Sequence, residues 1–456
     1  DAGYPDKTFT PSHRAILILR IQRILMVLFG AAASPGAAVV RPTHLRRTAV
    51  AGCSTRGGHA AFSIRAESGK VYTIVGPGGA GKTTAAIALA KSLTANGTNT
   101  ILCISSDDRS ADDLLGHDIP VSTGILNIGA SAGRDWLPDP VGGLQAVRLT
   151  PLTLVEEMFT VIKKGDERFN VSGGNLDLSP KELSVIPGLE SYLTLATLRR
   201  AAANGDTVVF DGPSSADVLR MVGAPTRLSW YIRKLSKLIS KSDLGRVVAP
   251  TLQDLLGWAI TQEPGYAGTK GEGGDSFEAI AALMDTGADV FAMPARGATL
   301  VVADGSNPYS IKSARRMQGL AMQQGAHIGG AMVLGVESCG DFTGLPTVCM
   351  PRFEGDWAPL VAAMPADIQE ATQAGDLPKG IVIDQEQKEV RIYLPGFLKS
   401  EVKLSQPKGG DELLVDAGGQ RKHVPFPPGF QGKVKGAKFE DEVLKVTPPT
   451  TRPPLG

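Results

Sequence analysis

Residues Gly76–Thr84 read GPGGAGKTT, and this segment is the strongest indication of the fold class in the sequence. It follows the apolar run VYTIVG, which predicts a buried strand, and it opens the apolar-periodic stretch TTAAIALAKSL, which predicts a helix. Glycines permit the positive φ angles that let successive backbone N–H groups point at phosphate oxygens. A helix that starts near Lys82 adds the positive end of its dipole. The sequence therefore predicts a phosphate-binding loop between a strand and a helix.

Each residue of this loop has an expected role in binding ATP with Mg²⁺. Lys82 should reach the β- and γ-phosphates, Thr83 should ligate Mg²⁺, and Thr84 should hold the α-phosphate side. The backbone amides that complete the nucleotide-binding set belong to Gly78, Gly79, Ala80 and Gly81. The pattern GxxxxGK[ST] alone occurs by chance in many long sequences, so the strand before it and the helix after it carry the argument.

Carboxylates follow two other apolar runs. Asp211 ends the run TVVFD, as the second Mg²⁺-holding carboxylate of a phosphoryl-transfer site does. Asp107 and Asp108 follow ILCISS, at the sheet edge where ligands collect, and either could orient the attacking water. The alternative for all three residues is an ordinary capping or solvated carboxylate.

From Gly69 onward, short apolar runs alternate with longer helical patterns, which is typical of a parallel sheet covered by helices. Five runs lack strict alternation and predict strands buried on both faces: 71–76, 101–106, 207–211, 299–304 and 330–336. Helical stretches at about 151–204 and 226–293, the second containing the glycine-rich segment 265–274, should form an inserted subdomain. The predicted class is α/β, a P-loop NTPase with a mostly parallel, doubly wound sheet and helical insertions.

A different texture begins after about Leu377. Short, partly alternating runs separated by turn residues predict a small C-terminal antiparallel β-sandwich: KEVRIYLPGF, SEVKLSQ, DELLVDAG, RKHVPFP and VLKVTPP. The expected organisation is a disordered leader at 1–66, an ATPase domain at 67–372, the sandwich at 378–448 and a disordered, proline-rich tail at 449–456.

Composition excludes several classes of partner. The net charge of +1 and the lack of a dense Lys/Arg patch argue against binding to nucleic acid. The sequence contains no uninterrupted run of about 18 apolar residues, which argues against a membrane-spanning helix. The cysteines form no C-x-x-C pair, which argues against a structural zinc and a disulfide framework and favours a reducing compartment. They are Cys53, Cys103, Cys339 and Cys349.

The amino-terminal region has the composition of an organelle-targeting leader. No Asp or Glu occurs from Lys7 to Ala66, whereas arginine recurs throughout this region. An unrelated disordered leader is the alternative.

Four segments, in the order GPGGAGKTT, SSDDRSADDLLG, IPGLESYLTL and VVFDGPSSADVLRMVGAP, resemble the arsenical-pump and tail-anchored-protein-targeting ATPase family. LPGF at Leu394–Phe397 and GAKFEDEVLKVTPP at Gly436–Pro449 resemble the small heat-shock (α-crystallin) domain. Together with a targeting leader, this combination is similar to the plastid "d"-type branch of the family.

The resemblance implies a homodimer in the chloroplast stroma that binds and hydrolyses ATP with Mg²⁺ and carries hydrophobic client segments, meeting a membrane only through those clients. It implies Asp108 as the water-orienting switch I residue, or Asp107 if the register shifts by one, and a switch II segment that runs from Asp211 to Arg220. The alternatives are a metabolic or metal-handling ATPase, and a binding module whose nucleotide is mainly structural.

Three departures from the family pattern affect these expectations. Pro77 occupies the position of the signature lysine, so hydrolysis should be slow or use another cation such as Arg109. The C-x-x-C that joins subunits through zinc is missing. The adenine-reading asparagine is not evident after the last strand, which leaves Pro351 and Phe353 as candidates for packing against the base, with loop and core roles as the alternative.

Overall fold

The computed structural model describes most of the chain between 69 and 447. The described ranges are 69–105, 108–121, 142–156, 159, 189–203, 205–240, 281, 285, 287–339, 342, 344–365, 372, 377–407, 410–427, 429–430 and 432–447. Four predictions lie outside the described residues: the leader at 1–66, the glycine-rich segment at 265–274, the tail at 449–456 and the role of Asp107.

Seven parallel strands form the central sheet. Their bounds are β1 Val71–Val75, β2 Thr100–Ile104, β3 Gln145–Arg148, β4 Thr207–Asp211, β5 Gly297–Asp304, β6 Ile328–Leu334 and β7 Thr347–Met350. The order across the sheet is β3-β2-β4-β1-β5-β6-β7. The chain builds one half of the sheet with β2 to β4 and then crosses β1 to build the other half. Ligands of such sheets bind outside the carboxyl ends of the strands at this crossing, which is where the loop after β1 lies.

Both faces of the sheet are buried. Val71 and Val75 of β1 join one apolar cluster, whereas Tyr72 and Ile74 join the cluster on the opposite face, because successive side chains of a strand point to opposite sides. Every residue of β1, β2 and β4 is buried. This explains why their sequences are continuous apolar runs.

Helices cover each face, so the sheet is doubly wound. Their bounds are α1 Lys82–Ala95, α2 Ser110–Leu115, α3 Leu189–Ala203, α4 Ser215–Ser240, α5 Pro308–Gln324 and α6 Ala358–Ala362. Helices α1, α2 and α6 contribute to one cluster, and α3, α4 and α5 contribute to the other. Helix α4 begins at Ser215, well before the expected helical stretch at about 226, and it carries Pro225 inside it.

Seven antiparallel strands form the C-terminal sandwich. Their bounds are β8 Ile381–Asp384, β9 Glu389–Tyr393, β10 Val402–Ser405, β11 Glu412–Ala417, β12 Gln420–Pro425, β13 Gly436–Glu440 and β14 Val443–Thr447. They make a three-stranded sheet, β10-β11-β12, and a four-stranded sheet, β13-β14-β9-β8. The predicted fold class, a P-loop NTPase sheet with a small antiparallel C-terminal domain, is confirmed.

The sandwich packs directly on α5. A Cβ atom built on Gly319 of this helix would lie 2.8 Å from the carbonyl oxygen of Pro395 and 3.1 Å from the ring of Phe397, so only glycine permits this approach. The Arg316 guanidinium lies 4.4 Å from the centre of the Phe397 ring. Apolar residues of the central sheet, α5 and the sandwich belong to one continuous cluster. The LPGF segment is therefore part of an intramolecular interface.

The sequence did not predict four of the strands, and it gave one wrong expectation about the cysteines. These strands are β3, β7, β8 and β13, and all four are short. In β7, β8 and β13 most positions are half-exposed or exposed, so their sequences lack a clear apolar run. Cys339 and Cys349, the second of which lies in β7, form a disulfide with their Cα atoms 5.8 Å apart. The argument from spacing against a disulfide framework is therefore wrong for these two cysteines.

Within the part of the chain that the structure describes, no helix is both long enough and apolar enough to cross a bilayer.

Candidate functional site

The loop between β1 and α1 has the backbone shape that binds phosphate. Gly79 and Gly81 have φ angles of 73° and 82°, and Gly81 is the N-cap residue of α1. A Cβ atom on Gly81 would lie 2.7 Å from Cδ2 of Leu334, so the loop packs closely against the end of β6. A left-handed conformation in such confined space requires glycine. The loop therefore brings its glycine-rich backbone to the amino-terminal end of α1, and within it the Ala80 amide donates to the Pro77 carbonyl at 3.3 Å.

Lys82 lies across the mouth of this loop. Its ammonium group donates a hydrogen bond of 3.3 Å to the carbonyl oxygen of Pro77, five residues earlier. Because Lys82 is the first residue of α1, its side chain extends back over the loop, as helical side chains do. The ammonium group of Lys82 therefore lies over the glycine-rich loop.

Asp211 and Thr83 meet below the loop. Asp211 is 2% exposed, and its Oδ2 atom has no hydrogen-bond partner. Burial raises the pKa of Asp211 to about 6, while the hydrogen bond from Thr83 and the charge of Lys82 lower it and the charge of Asp108 raises it. A buried carboxylate oxygen without a partner, beside a hydroxyl, matches the hard oxygen ligands that Mg²⁺ takes. These two residues fit the divalent cation of a phosphoryl-transfer site.

Asp108 lies beside this pair at the start of α2. It is exposed, and its Oδ1 atom accepts hydrogen bonds from the Ser110 backbone amide, at 3.1 Å, and from the Ser110 hydroxyl. Its charge acts on the pKa of Asp211, so the two carboxylates share one site. Asp108 therefore makes a local turn contact with Ser110, while the N-cap residue of α2 is Arg109.

Arg148 anchors the segment that carries Asp108. Its guanidinium group donates to the Asp108 carbonyl oxygen at 3.1 Å and forms a buried ion pair with Asp112. The Asp112 carboxylate also accepts from the Ile119 amide at 2.6 Å. Sequence reasoning did not single out Arg148, because it ends the unpredicted strand β3.

Ser215 joins the segment after Asp211 to the phosphate loop. Its hydroxyl oxygen accepts from the Gly76 amide at 2.9 Å, and the hydroxyl donates to the Gly76 carbonyl at 2.6 Å. These residues are 139 positions apart in the chain. No local pattern signals the contact, so sequence reasoning missed it.

The candidate base-contacting residues follow β7 at the same edge of the sheet. Pro351 and Phe353 are half-buried, and the Phe353 ring packs against Trp357 with centroids 4.2 Å apart. The Gly335 amide donates to the Met350 carbonyl at 2.8 Å, which ties the end of β6 to this segment. The Phe353 ring thus already has an aromatic partner. Contact of Pro351 or Phe353 with an adenine base stays a prediction.

Arg109 does not lie free beside the phosphate loop. It forms an ion pair with Asp118, and both side chains are mostly exposed. Among the described residues, no group of three or more His, Cys, Asp or Glu side chains could hold a metal ion.

Two family profiles match the chain. Residues 69–293 match the anion-transporting ATPase family, and residues 385–447 match the HSP20-like domain found in ArsA.

Three curated proteins illustrate the similarity. An uncharacterized protein of Streptomyces coelicolor is 26% identical over 83% of this chain and 96% of its own length. A putative arsenical pump-driving ATPase of Chlorobaculum tepidum is 22% identical over 83% of this chain and 95% of its own length. A protein of Mycobacterium tuberculosis is 32% identical over 36% of this chain and 39% of its own length.

The matches follow the two parts of the fold: the ATPase profile includes the phosphate loop, Asp108 and Asp211, and the second profile covers most of the sandwich. The chain belongs to the ArsA-type family of ATPases, and it is an ATPase that carries an HSP20-like domain.

Proposed function

We propose that this ATPase uses Mg²⁺ and ATP to switch a binding surface for hydrophobic, membrane-protein-like segments, and that it acts as a homodimer in the plastid stroma. The observation that carries the switching part is the course of α4. This helix starts at Ser215, which is hydrogen-bonded to Gly76 of the phosphate loop, and extends without interruption to Ser240. A change at the γ-phosphate would therefore act on a helix that leads directly into the inserted segment at 241–280.

Each described site residue has a proposed task. The amides of Gly78 to Gly81 and the ammonium of Lys82 bind the β- and γ-phosphates, and Thr84 holds the α-phosphate side. Thr83 and Asp211 hold Mg²⁺, which supplies charge neutralisation between the phosphates. Asp108 orients the attacking water, and Arg148 positions the backbone of Asp108. Asp107 remains the alternative for the water-orienting role.

The proposed dimer and the proposed plastid location are supported by the sequence. The acid-free, arginine-bearing leader supports a plastid, and the family resemblance supports a dimer that carries client segments. Without a C-x-x-C pair, zinc does not hold the proposed dimer. Pro77 removes the lysine that would reach the partner's nucleotide, and Arg109 is committed to Asp118, so we expect slow turnover.

The described apolar segments next to the insertion favour core packing over direct client contact. Leu149 and Leu154 are buried, and Ile232 of α4 is 5% exposed. By contrast, Leu152 and Tyr231 are 53% and 62% exposed. We therefore propose that the client surface lies mainly in the inserted segments at 160–188 and 241–280, which lie outside the described residues.

A soft-metal or arsenite role is the second candidate, because relatives are named as putative arsenical pump-driving ATPases. The cysteines of the described residues do not favour it. Cys103 is buried, with a pKa raised by burial to about 12, and Cys339 and Cys349 are joined to each other. Soft metals bind thiolates, and none of these three offers an accessible one.

Client capture and ATP turnover test the proposal together. The full chain is mixed with a fluorescent peptide that contains one transmembrane-type helix, and capture is measured with ATP, with ADP and without nucleotide. Capture should depend on the nucleotide in the wild type, and Lys82→Ala should lose this dependence and ATP hydrolysis. Lys312→Ala, an exposed lysine on α5, is the matched control. Capture that ignores the nucleotide in the wild type would refute switching, and activation of hydrolysis by arsenite would favour the second candidate.

A further inference from the structure

A cavity of about 360 Å³ lies between the sandwich and the ATPase body. It is bounded by α4, by the end of α5 and by strands β11 and β12, and no residue of the phosphate loop lines it. Cavities of this volume hold small organic molecules. The cavity is therefore a candidate site distinct from the nucleotide site.

Four cationic side chains line this cavity, and two of them have a carboxylate partner. Arg233 is paired with Asp285 at 2.7 Å, and Arg421 is paired with Asp416 at 2.6 Å. Glu412, the other carboxylate of the lining, accepts from the Trp230 indole at 2.9 Å and pairs with Lys234 at 3.3 Å. The acidic groups at the cavity are thus already engaged.

Arg227 and Lys422 are the two remaining cations. Within the described part of the chain, Arg227 donates to two uncharged acceptors, the Gln324 side-chain oxygen at 2.8 Å and the Arg220 carbonyl at 2.5 Å. The Lys422 ammonium has no hydrogen bond or ion pair with any described residue. Burial and, to a smaller degree, the nearby charge of Arg227 together lower the pKa of Lys422 to about 8.

Two neighbouring cations in a mostly buried place are costly without a counter-charge. One local feature offsets part of this cost: a Cβ atom on Gly325 would lie 3.5 Å from the Lys422 nitrogen, so the negative end of α5 is close to it. A helix end supplies a fraction of one charge, whereas two positive charges are present. The cavity thus has an excess of positive charge that an anion would neutralise.

The rest of the lining indicates what kind of anion fits. Trp230 and His423 lie side by side with ring centroids 4.4 Å apart, and Pro425 lines the cavity with them. An inorganic anion would leave these surfaces without contact. We propose that the cavity binds a small organic anion, whose carboxylate or phosphate group is held by Lys422 and Arg227 and whose organic part contacts the Trp230 and Pro425 surfaces.

Calorimetric titration of the full chain tests this site. Phenyl phosphate and benzoate are the probes, and saturating Mg·ADP occupies the phosphate loop throughout. We expect one site per chain with a Kd of about 1 mM or tighter for at least one probe. Binding of phenyl phosphate alone assigns the group as a phosphate, and binding of benzoate alone assigns it as a carboxylate.

Two variants connect binding to the named residues. Lys422→Met removes the charge and keeps the length of the side chain, and it should weaken binding at least tenfold. Lys403→Met, at an exposed lysine of the same sheet, should leave binding unchanged. Arg227→Met repeats the test from the helix side. The proposal is overturned if neither probe binds, or if Lys422→Met binds as tightly as the wild type. Because Lys422→Met removes a buried charge, lost binding with an unchanged or higher melting temperature cannot come from unfolding.

Discussion

The nucleotide edge of the sheet and the interface between α5 and the sandwich are stabilised in different ways. At the edge, the phosphate loop is a run of nine consecutive residues, Gly76–Thr84, and one strand-end carboxylate completes the site. At the interface, Arg315 pairs with Glu442, which is 127 residues away, and Arg316 pairs with Glu401, which is 85 residues away. The first region is built around one local segment that distant residues such as Ser215 support, and the second consists of distant segments that meet only in the folded chain.

Because of this difference, we expect changes in one region to affect activity and changes in the other to affect stability. The carboxyl edge concentrates unsatisfied charge, as the buried Oδ2 atom of Asp211 illustrates. The interface does the opposite, because Glu442 accepts from Arg315 and from the Gly396 amide, and Phe397 packs under Arg316. Changes at the edge should therefore alter hydrolysis with little loss of stability, and changes at the interface should do the reverse.

The largest effect is expected from Asp211→Asn. This change removes the charge proposed to hold Mg²⁺, so ATP turnover should fall by roughly 10³-fold, the scale of losing one preorganised electrostatic group. Steady-state hydrolysis measures it, and thermal unfolding should show no loss of stability. Asp411→Asn, at an exposed carboxylate of the sandwich, is the matched control and should retain activity. Equal losses in the two variants would contradict the assignment of Asp211.

At the interface, Gly319→Val should lower the stability of the chain and have little effect on ATP hydrolysis. The new side chain would meet the Pro395 carbonyl and the Phe397 ring, and overpacking of this kind costs about 1–3 kcal/mol. Chemical denaturation should show this loss, and hydrogen exchange should rise in β9 and β14. Lys312→Val places the same residue on the exposed side of the helix and should change little. If Gly319→Val destabilised the chain no more than this control, the sandwich would not pack on α5 as described.

The disulfide between Cys339 and Cys349 should contribute about 2–3 kcal/mol, because it closes a loop with a sequence separation of 10 residues. A reductant should lower the free energy of unfolding of the wild type by this amount. The double variant Cys339→Ser, Cys349→Ser should have the lower stability from the start and should not respond to reductant. A wild type that is equally stable with and without reductant would show that the bond does not stabilise the fold.

Sequence alone predicted the parts of the molecule that local patterns specify. Five strands of the central sheet, the glycine-rich loop between β1 and α1 and the place of Asp211 at the end of β4 follow from apolar runs and the residues next to them. The roles proposed for Asp108, Pro351 and Phe353 stay predictions, although all three lie at the carboxyl edge of the sheet. Ser215 and Arg148 were missed because their partners are far away in the chain, and no spacing pattern announces the pair Cys339–Cys349.

The smallest expected effect lies at the rim of the interface, where Lys422 lacks a counter-charge. Burial lowers its pKa from 10.5 to about 8, so between these values the unfolded chain binds more protons than the folded chain. The free energy of unfolding must then rise with pH in this window. Between pH 7 and pH 9, the free energy of unfolding of the wild type should rise by about 1 kcal/mol more than that of Lys422→Met.

Denaturation of both proteins at several pH values measures this gain, and the subtraction cancels the titration of all other groups. Lys403→Met, which removes an exposed lysine, should give a curve parallel to that of the wild type. If the curves of the wild type and Lys422→Met were parallel, the Lys422 ammonium would be as well solvated in the folded chain as in the unfolded chain. A counter-anion bound in the cavity would raise the pKa of Lys422 toward its ordinary value. Adding phenyl phosphate or benzoate should therefore flatten the wild-type curve, because the cost of the unpaired charge disappears once an anion shares the cavity.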